Sequence, residues 1–244
     1  MDQPELPRTP IVGGPVCTRT ADRSLHVNLL PTAGRLCTLD CLYCPFPRAQ
    51  RWQHWPRAGD VGAAVTNALH GASDLESITI SGPGEPTLHP QFGRALGDVL
   101  SARRVRPELP VRIVTNGTTL LQPRVRRLVE FADERLVRID AGGGRISRPR
   151  ENASPDEAIA AALRQLSDYS VESVFVEGPG GNANERDVSE WLARLAELRP
   201  ARVYVTTTAE PPLDPTVRRA DAATLEQIAA ELRRRTHLAT TVLP

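Results

Sequence analysis

An α/β fold built as a partial (β/α)6 barrel is the architecture this sequence predicts, and three observations predict it. Six short apolar runs of strand length alternate in strict order with six longer stretches of helical periodicity. That alternation implies a parallel sheet whose strands are joined by helical crossovers. Six units are too few to close an eight-stranded barrel, so an open, three-quarter, TIM-like barrel is expected. Glycines and small polar residues gather after every expected strand, at the end where α/β barrels carry their chemistry.

Residues 1–24, rich in Pro, Gly, Arg and Thr, are expected to be an irregular segment, and residues 25–244 the barrel core of a single domain. The apolar run at 25–30 supplies the first strand, and a cysteine-bearing loop follows over 31–46 before a helix over 61–70. The second strand, 77–80, runs into Ser-Gly-Pro-Gly-Glu-Pro-Thr-Leu-His-Pro at 81–90 and a helix over 90–104. The third strand, 111–115, ends in Asn-Gly-Thr, and the helix over 123–132 opens on Pro123, which suits a first helical turn. The fourth, 136–140, runs into Ala141 and three glycines; its helix, 155–166, starts on Ser154-Pro155-Asp156-Glu157, with Ser at the cap and Pro at the first turn. The fifth, 173–177, enters a glycine-rich stretch before a helix over 188–198. The sixth, 202–206, ends in Thr-Thr-Ala-Glu-Pro-Pro, and a helix over 222–235 follows. No internal repeat, linker or second domain is visible.

The 244 residues suffice for one sizeable domain, and the 40% apolar fraction suits a globular chain. No apolar run reaches transmembrane length. The opening residues, Met1 to Pro7, have neither the charged start nor the apolar stretch of a signal peptide, so a reducing, cytoplasmic compartment is expected. Net charge is +1, and all 30 basic residues are Arg; with abundant Ala, Pro and Gly this reads as the codon bias of a GC-rich genome rather than a nucleic-acid footprint. Arg124, Arg126 and Arg127, and Arg233 to Arg235, fall on expected helices and read as solvated faces. No membrane partner is expected, and a nucleic acid is not the favoured one.

Cys37, Cys41 and Cys44 carry the most specific signal. Their spacing is C-x3-C-x2-C, with no cysteine after them. Four cysteine ligands close an iron–sulfur cluster for electron transfer. Three can hold three irons of a [4Fe-4S] cluster and leave the fourth open, by the logic of open catalytic metal sites. A zinc site, with His54 as the nearby fourth ligand, and a disulfide are the alternatives.

The motif resembles the signature of the radical S-adenosylmethionine (SAM) family. The resemblance implies that the open iron chelates SAM and that the reduced cluster cleaves it to methionine and a 5'-deoxyadenosyl radical. It places Tyr43 near the adenine. The Gly-Pro-Gly-Glu-Pro stretch at 82–86 is similar to the family's GGE motif, which implies that Gly84 and Glu85 bind the SAM amino group. Asn116 and Asp140 match positions that contact the SAM carboxylate and ribose, and the segment with Val176, Gly178 and Asn182 matches the one that backs the adenine. A narrower likeness, carried by residues 13–32, 81–90, 138–144 and 175–200, is to compact bacterial members related to tRNA wyosine synthases. Cys17 stands where those relatives often have Pro or Ser, and Asp140 is followed by glycines rather than an acidic stretch.

The family reading implies a small-molecule substrate, such as a sugar or nucleoside, and an electron donor such as flavodoxin or ferredoxin. With no cysteines for an auxiliary cluster, return of a hydrogen atom, fragmentation or rearrangement is favoured over net oxidation. The preferred reaction is redox-neutral epimerisation, with Cys17 as hydrogen-atom donor; a small buried hydrophobe is the plainer role for Cys17. Hydrogen donation requires the segment before the first strand to fold over the active face. Modification of a tRNA base and activation of a glycyl-radical partner are the other reactions in view. His89 is a candidate for positioning substrate or moving a proton, or a local hydrogen-bonding residue. Arg138 is expected to face the interior and to suit a carboxylate or phosphate, with Glu210 as a further polar contact. Arg145, Arg148 and Arg150 read as solvated or anion-contacting, and Trp52 and Trp55 as packing beside the cysteine loop.

Overall fold

The computed structural model describes residues 10–17, 22–30, 35–47, 55–150 and 156–243, with only the backbone at 15–17. Trp52, His54 and the Ser154-Pro155 cap lie outside the described residues.

Strand β1 (Val12–Cys17) is antiparallel to β2 (Arg23–Val27), with Val12 opposite Val27 and Cys17 opposite Arg23. Helix α1 (Ala58–Gly71) leads to β3 (Ser77–Ile80), α2 (Phe92–Ala102) to β4 (Val111–Thr115), and α3 (Pro123–Val129) to β5 (Glu134–Arg138). Short α4 (Gly143–Ser147) and α5 (Asp156–Leu163) precede β6 (Tyr169–Val174) and a two-residue β7 (Val176–Glu177). Then come α6 (Glu185–Leu198), β8 (Arg202–Thr206), a two-residue β9 (Arg218–Arg219), α7 (Ala222–Thr236) and β10 (Thr240–Leu243). The sheet order is β1-β2-β3-β4-β5-β6-β8-β10, and every pairing from β2 onward is parallel. β1 and β10 are its two edges, so the architecture is the expected partial TIM-like barrel.

The helices pack on the outside of the sheet. Phe92, Ala95, Leu96 and Val99 of α2, and Trp191, Leu192, Leu195 and Leu198 of α6, recur at helical spacing and are buried. They share one core with Leu25, Val27, Ile78, Ile80, Val111, Ile113, Val137, Val171, Val203 and Val205 of the strands. The alternate strand residues point inward, and most of them are polar. His26, Thr79, Arg112, Arg138 and Glu172 line an interior cavity. Caps mark the helix starts: Asn184 accepts from Asp187 N–H at 3.1 Å and Asp221 from Thr224 N–H at 2.7 Å.

Three expectations about elements are corrected. Residues 12–17, expected to be irregular, form β1; an irregularity between Gly13 and Val16 absorbs the Gly-Gly-Pro that reads as a turn. A seventh parallel strand, β10, follows α7 and pairs with β8; its four residues, Thr-Thr-Val-Leu, are half polar and too short a run to signal a strand. The run at 173–177 is not one strand, because Phe175 separates β6 from β7, and β7 pairs with β9 outside the main sheet. Among the described residues no helix is long and apolar enough to cross a membrane.

Candidate functional site

The three cysteines lie on a loop clamped at the C-terminal ends of the parallel strands. On one side Leu36 bridges Gly84: Leu36 N–H donates to Pro83 O at 3.0 Å, and Glu85 N–H to Leu36 O at 2.8 Å. Gly84 has φ +142, and a Cβ there would overlap the Leu36 carbonyl oxygen. On the other side Asp40 N–H donates to Ser147 O at 2.9 Å, Leu42 N–H to Ile146 O at 3.0 Å and Arg150 N–H to Thr38 O at 3.0 Å. α4 and the residue chain after it therefore grip the loop. Cys44 N–H closes a turn onto Cys41 O at 3.1 Å.

All three thiols are free and open into one cavity of about 530 Å³, within the size range of small-molecule sites. Among the described residues, which do not include His54 of the zinc alternative, no group of three His, Cys, Asp or Glu converges closely enough for a single metal ion. A four-iron cubane is wide, so its ligand sulfurs need not converge on a point. The donor set fits a three-cysteine [4Fe-4S] site. Burial pushes the Cys37 and Cys41 thiols up. Asn116 Nδ2 donates to Cys37 Sγ at 3.3 Å and Leu39 N–H at 3.4 Å, and both favour the thiolate that binds metal.

The residues expected around SAM fall into two groups. Asn116 and Tyr43 line the cavity, and Gly84 does so beside them. The Tyr43 hydroxyl donates to Asp140, whose other oxygen accepts from Val174 N–H at 2.8 Å. Burial raises the Asp140 carboxyl to about 6, against the opposing pull of the Arg138 guanidinium. The second group builds walls. Glu85 is 0% exposed and accepts from Thr115 Oγ1 at 2.8 Å, Asn116 N–H at 2.6 Å and Thr87 N–H at 3.2 Å. Its carboxylate ties β4 to the β3 exit, leaving the backbone of 82–84 facing the cavity. Asn182 accepts from Val176 N–H at 2.8 Å and donates to Ala141 O and Val174 O at 3.1 and 2.9 Å. Val176 packs with Leu42, Tyr43, Ile146, Val174 and Val217 behind the loop. Gly178, φ +101, lets β7 approach Thr216.

Arg138 lines the cavity. Its Nε donates to the buried Glu172 carboxylate at 2.9 Å, and its Nη2 to the same oxygen. His89 is buried away from the cavity lining. Its Nδ1 accepts from Gln91 N–H at 3.1 Å, so Nε2 carries the proton and donates to Pro56 O at 2.9 Å, with the Trp55 ring edge-on. Glu210 is exposed, while its neighbour Ala209 lines the cavity. Arg145, Arg148 and Arg150 are exposed around the loop; Arg145 pairs with Asp187. β1 descends from Pro10 and Gly13, which line the cavity, to Cys17 at the opposite end of β2. The Cys17 backbone thus sits three residues below the level of His26, past a layer of Ser24, Ser77 and Asp22 joined by hydrogen bonds.

Sequence reasoning missed Arg35, His26, Thr79, Arg112 and Glu172. The available signal was alternation: Ser24-His26-Asn28 and Ser77-Thr79-Ser81 put polar groups at every second position of strands that apolar crossovers bury, and Arg112 and Asn116 flank Val114 on the same face.

A family description of the radical SAM superfamily matches residues 32–195. A UPF0026 protein of Helicobacter pylori is 26% identical over 214 residues, 83% of this chain and 67% of its own. Among solved structures, Streptococcus suis SuiB bound to S-adenosylmethionine superposes with a TM-score of 0.63 at 15% identity. The alignment covers 88% of this chain and 50% of SuiB. Archaeal TYW1 gives a TM-score of 0.56 at 12% identity, over 88% of this chain and 72% of its own. At such identities the likeness is one of fold, and the chain spans half the length of SuiB.

Proposed function

Because this chain belongs to the radical SAM superfamily, whose cofactors are a [4Fe-4S] cluster and S-adenosylmethionine, we propose that it abstracts a hydrogen atom from a small polar substrate held inside the barrel. One observation carries the proposal: a single cavity has the three thiols at its mouth and a wall of polar side chains in its depth. Bound together, the cluster and SAM supply hydrogen-atom abstraction by a carbon radical derived from SAM.

Cys37, Cys41 and Cys44 hold three irons and leave the fourth for SAM. Asn116 orients Cys37 and the neighbouring Thr38, to whose Oγ1 it donates at 3.0 Å. The backbone of 82–84 offers carbonyl oxygens to an ammonium group. Asp140, an acceptor when ionised, suits ribose hydroxyls. Below them Arg138 and Glu172 present a donor next to an acceptor, which matches adjacent hydroxyls of a sugar or nucleoside. The hydroxyl layer of Ser24, Ser77 and Thr79 closes the floor, so the reacting carbon is shielded from water.

Epimerisation is the finer reading, and hydrogen return by Cys17 its specific form; the register of β1 does not support that donor. Modification of a tRNA base is the second reading. The resemblance to tRNA wyosine synthases and the exposed Arg148 and Arg150 beside the loop favour it, and salt-dependent tRNA binding would mark it.

The test is anaerobic reconstitution followed by incubation with SAM, reductant and a panel of sugars and nucleosides in D2O. 5'-Deoxyadenosine should form, and one substrate should gain a single deuterium by mass spectrometry. Cluster-loaded protein that makes no 5'-deoxyadenosine would refute the assignment. Incorporation that survives Cys17→Ala would return Cys17 to a packing role.

A further inference from the structure

We infer that Arg35 is a positioning residue for the electronic state of the cluster: its buried guanidinium beside Cys44 favours the reduced form, and Asp40 limits how much of that charge is felt. The inference rests on the reading that Cys37, Cys41 and Cys44 hold a [4Fe-4S] cluster.

Arg35 is 7% exposed and lines the cavity with Cys37 and Cys44. Its backbone N–H donates to Pro47 O at 2.8 Å, which pins it alongside the chain leaving Cys44. Its Nη2 pairs with Asp40 Oδ1, inside the loop between Cys37 and Cys41. The same guanidinium shares the cavity wall with the Cys44 sulfur and is attracted to its thiolate by charge. A guanidinium has five N–H donors in a rigid fork, so pairing with one carboxylate leaves donors for a sulfur. Arg138, which also lines the cavity with the thiols, differs because two of its donors are taken by Glu172.

Reduction adds one electron to the cluster and therefore one negative charge. A fixed cation in a poorly screened site favours that state, and hydrogen bonds to the cysteine sulfurs act in the same direction. An arginine stays charged where a lysine would lose its proton on burial. The opposite charges of Arg35 and Asp40 give the pair opposite effects on one measurable quantity.

Wild type, Arg35→Gln, Arg35→Lys and Asp40→Asn are reconstituted anaerobically without SAM. Iron and sulfide are assayed, and each protein is titrated with dithionite and mediators under electron paramagnetic resonance. The midpoint potential should fall in Arg35→Gln, rise in Asp40→Asn and lie between wild type and Arg35→Gln in Arg35→Lys. Full iron content with unshifted midpoints, or shifts of the same sign in Arg35→Gln and Asp40→Asn, overturns the inference alone. If Arg35→Gln fails to load iron, an unshifted Asp40→Asn overturns it equally. A wild type that binds no iron overturns the cluster reading and this inference with it.

Discussion

At Asp140 burial and hydrogen bonding oppose each other on a single carboxyl. Its folded value, about 6, lies above the ordinary 3.8, with burial the larger cause. The unfolded carboxyl ionises first as pH rises, so the cost to the folded state grows between pH ~4 and ~6 and is fully present above that. Asp140→Asn in the apo protein should remove that slope, gaining up to ~3 kcal/mol on wild type between pH 4.5 and 7; denaturant midpoints at the two pH values check it. Gly84 is constrained differently, by shape: φ +142 and a neighbouring carbonyl leave no room for a Cβ. Gly84→Ala should cost ~3 kcal/mol or more and sharply lower iron incorporation, read by iron assay beside a circular-dichroism spectrum that retains the barrel. Each of Cys37→Ser, Cys41→Ser and Cys44→Ser should abolish the visible absorbance of the reconstituted protein. A single substitution that left it intact would remove that residue from the ligand set.

Elements hold the site through backbone pairing more than through side chains. The cysteine loop has little regular structure, yet a bridge at Leu36 and Gly84 and another at Leu39 and Pro149 bind both its flanks. The interruption at Phe175 lets the chain leave the sheet, and Asn182 satisfies Val176 N–H and Val174 O on either side of the break together with Ala141 O beyond β5. Asn182→Ala would leave Val176 N–H, Ala141 O and Val174 O buried and unsatisfied. The expected loss is ~3–5 kcal/mol, or a fall in melting temperature of roughly 10 °C for a chain of this size, read by calorimetry. His89 is a similar tie, joining the segment before α1 to the start of α2 through two backbone partners. From sequence alone it is indistinguishable from a catalytic histidine, because both partners are backbone atoms and one of them, Pro56 O, is 33 residues away in the chain.

The whole molecule is an open barrel with an apolar outside face and a polar inside face. Most barrels of this type fill the interior with branched apolar side chains; here ion pairs and hydroxyls leave a chamber beneath the thiols. Replacing both members of one pair tests what the chamber is for. Arg138→Gln combined with Glu172→Gln removes two charges together and leaves neither stranded. Iron content should match wild type, while deuterium incorporation into substrate falls by ~10–100-fold, the worth of a charged hydrogen bond or two. The sequence by itself determined the barrel class, the six helical crossovers and the three-cysteine loop, because strand and helix periods and ligand spacing are local properties of the chain. Only the tertiary structure decided that β1 caps the sheet edge antiparallel and carries Cys17 away from the thiols. It also decided that Glu85 and Asn182 brace the walls and that Arg35 and Glu172 face the chamber. Those facts depend on which distant backbone atoms meet a side chain once the sheet has curved, and no local pattern encodes that meeting.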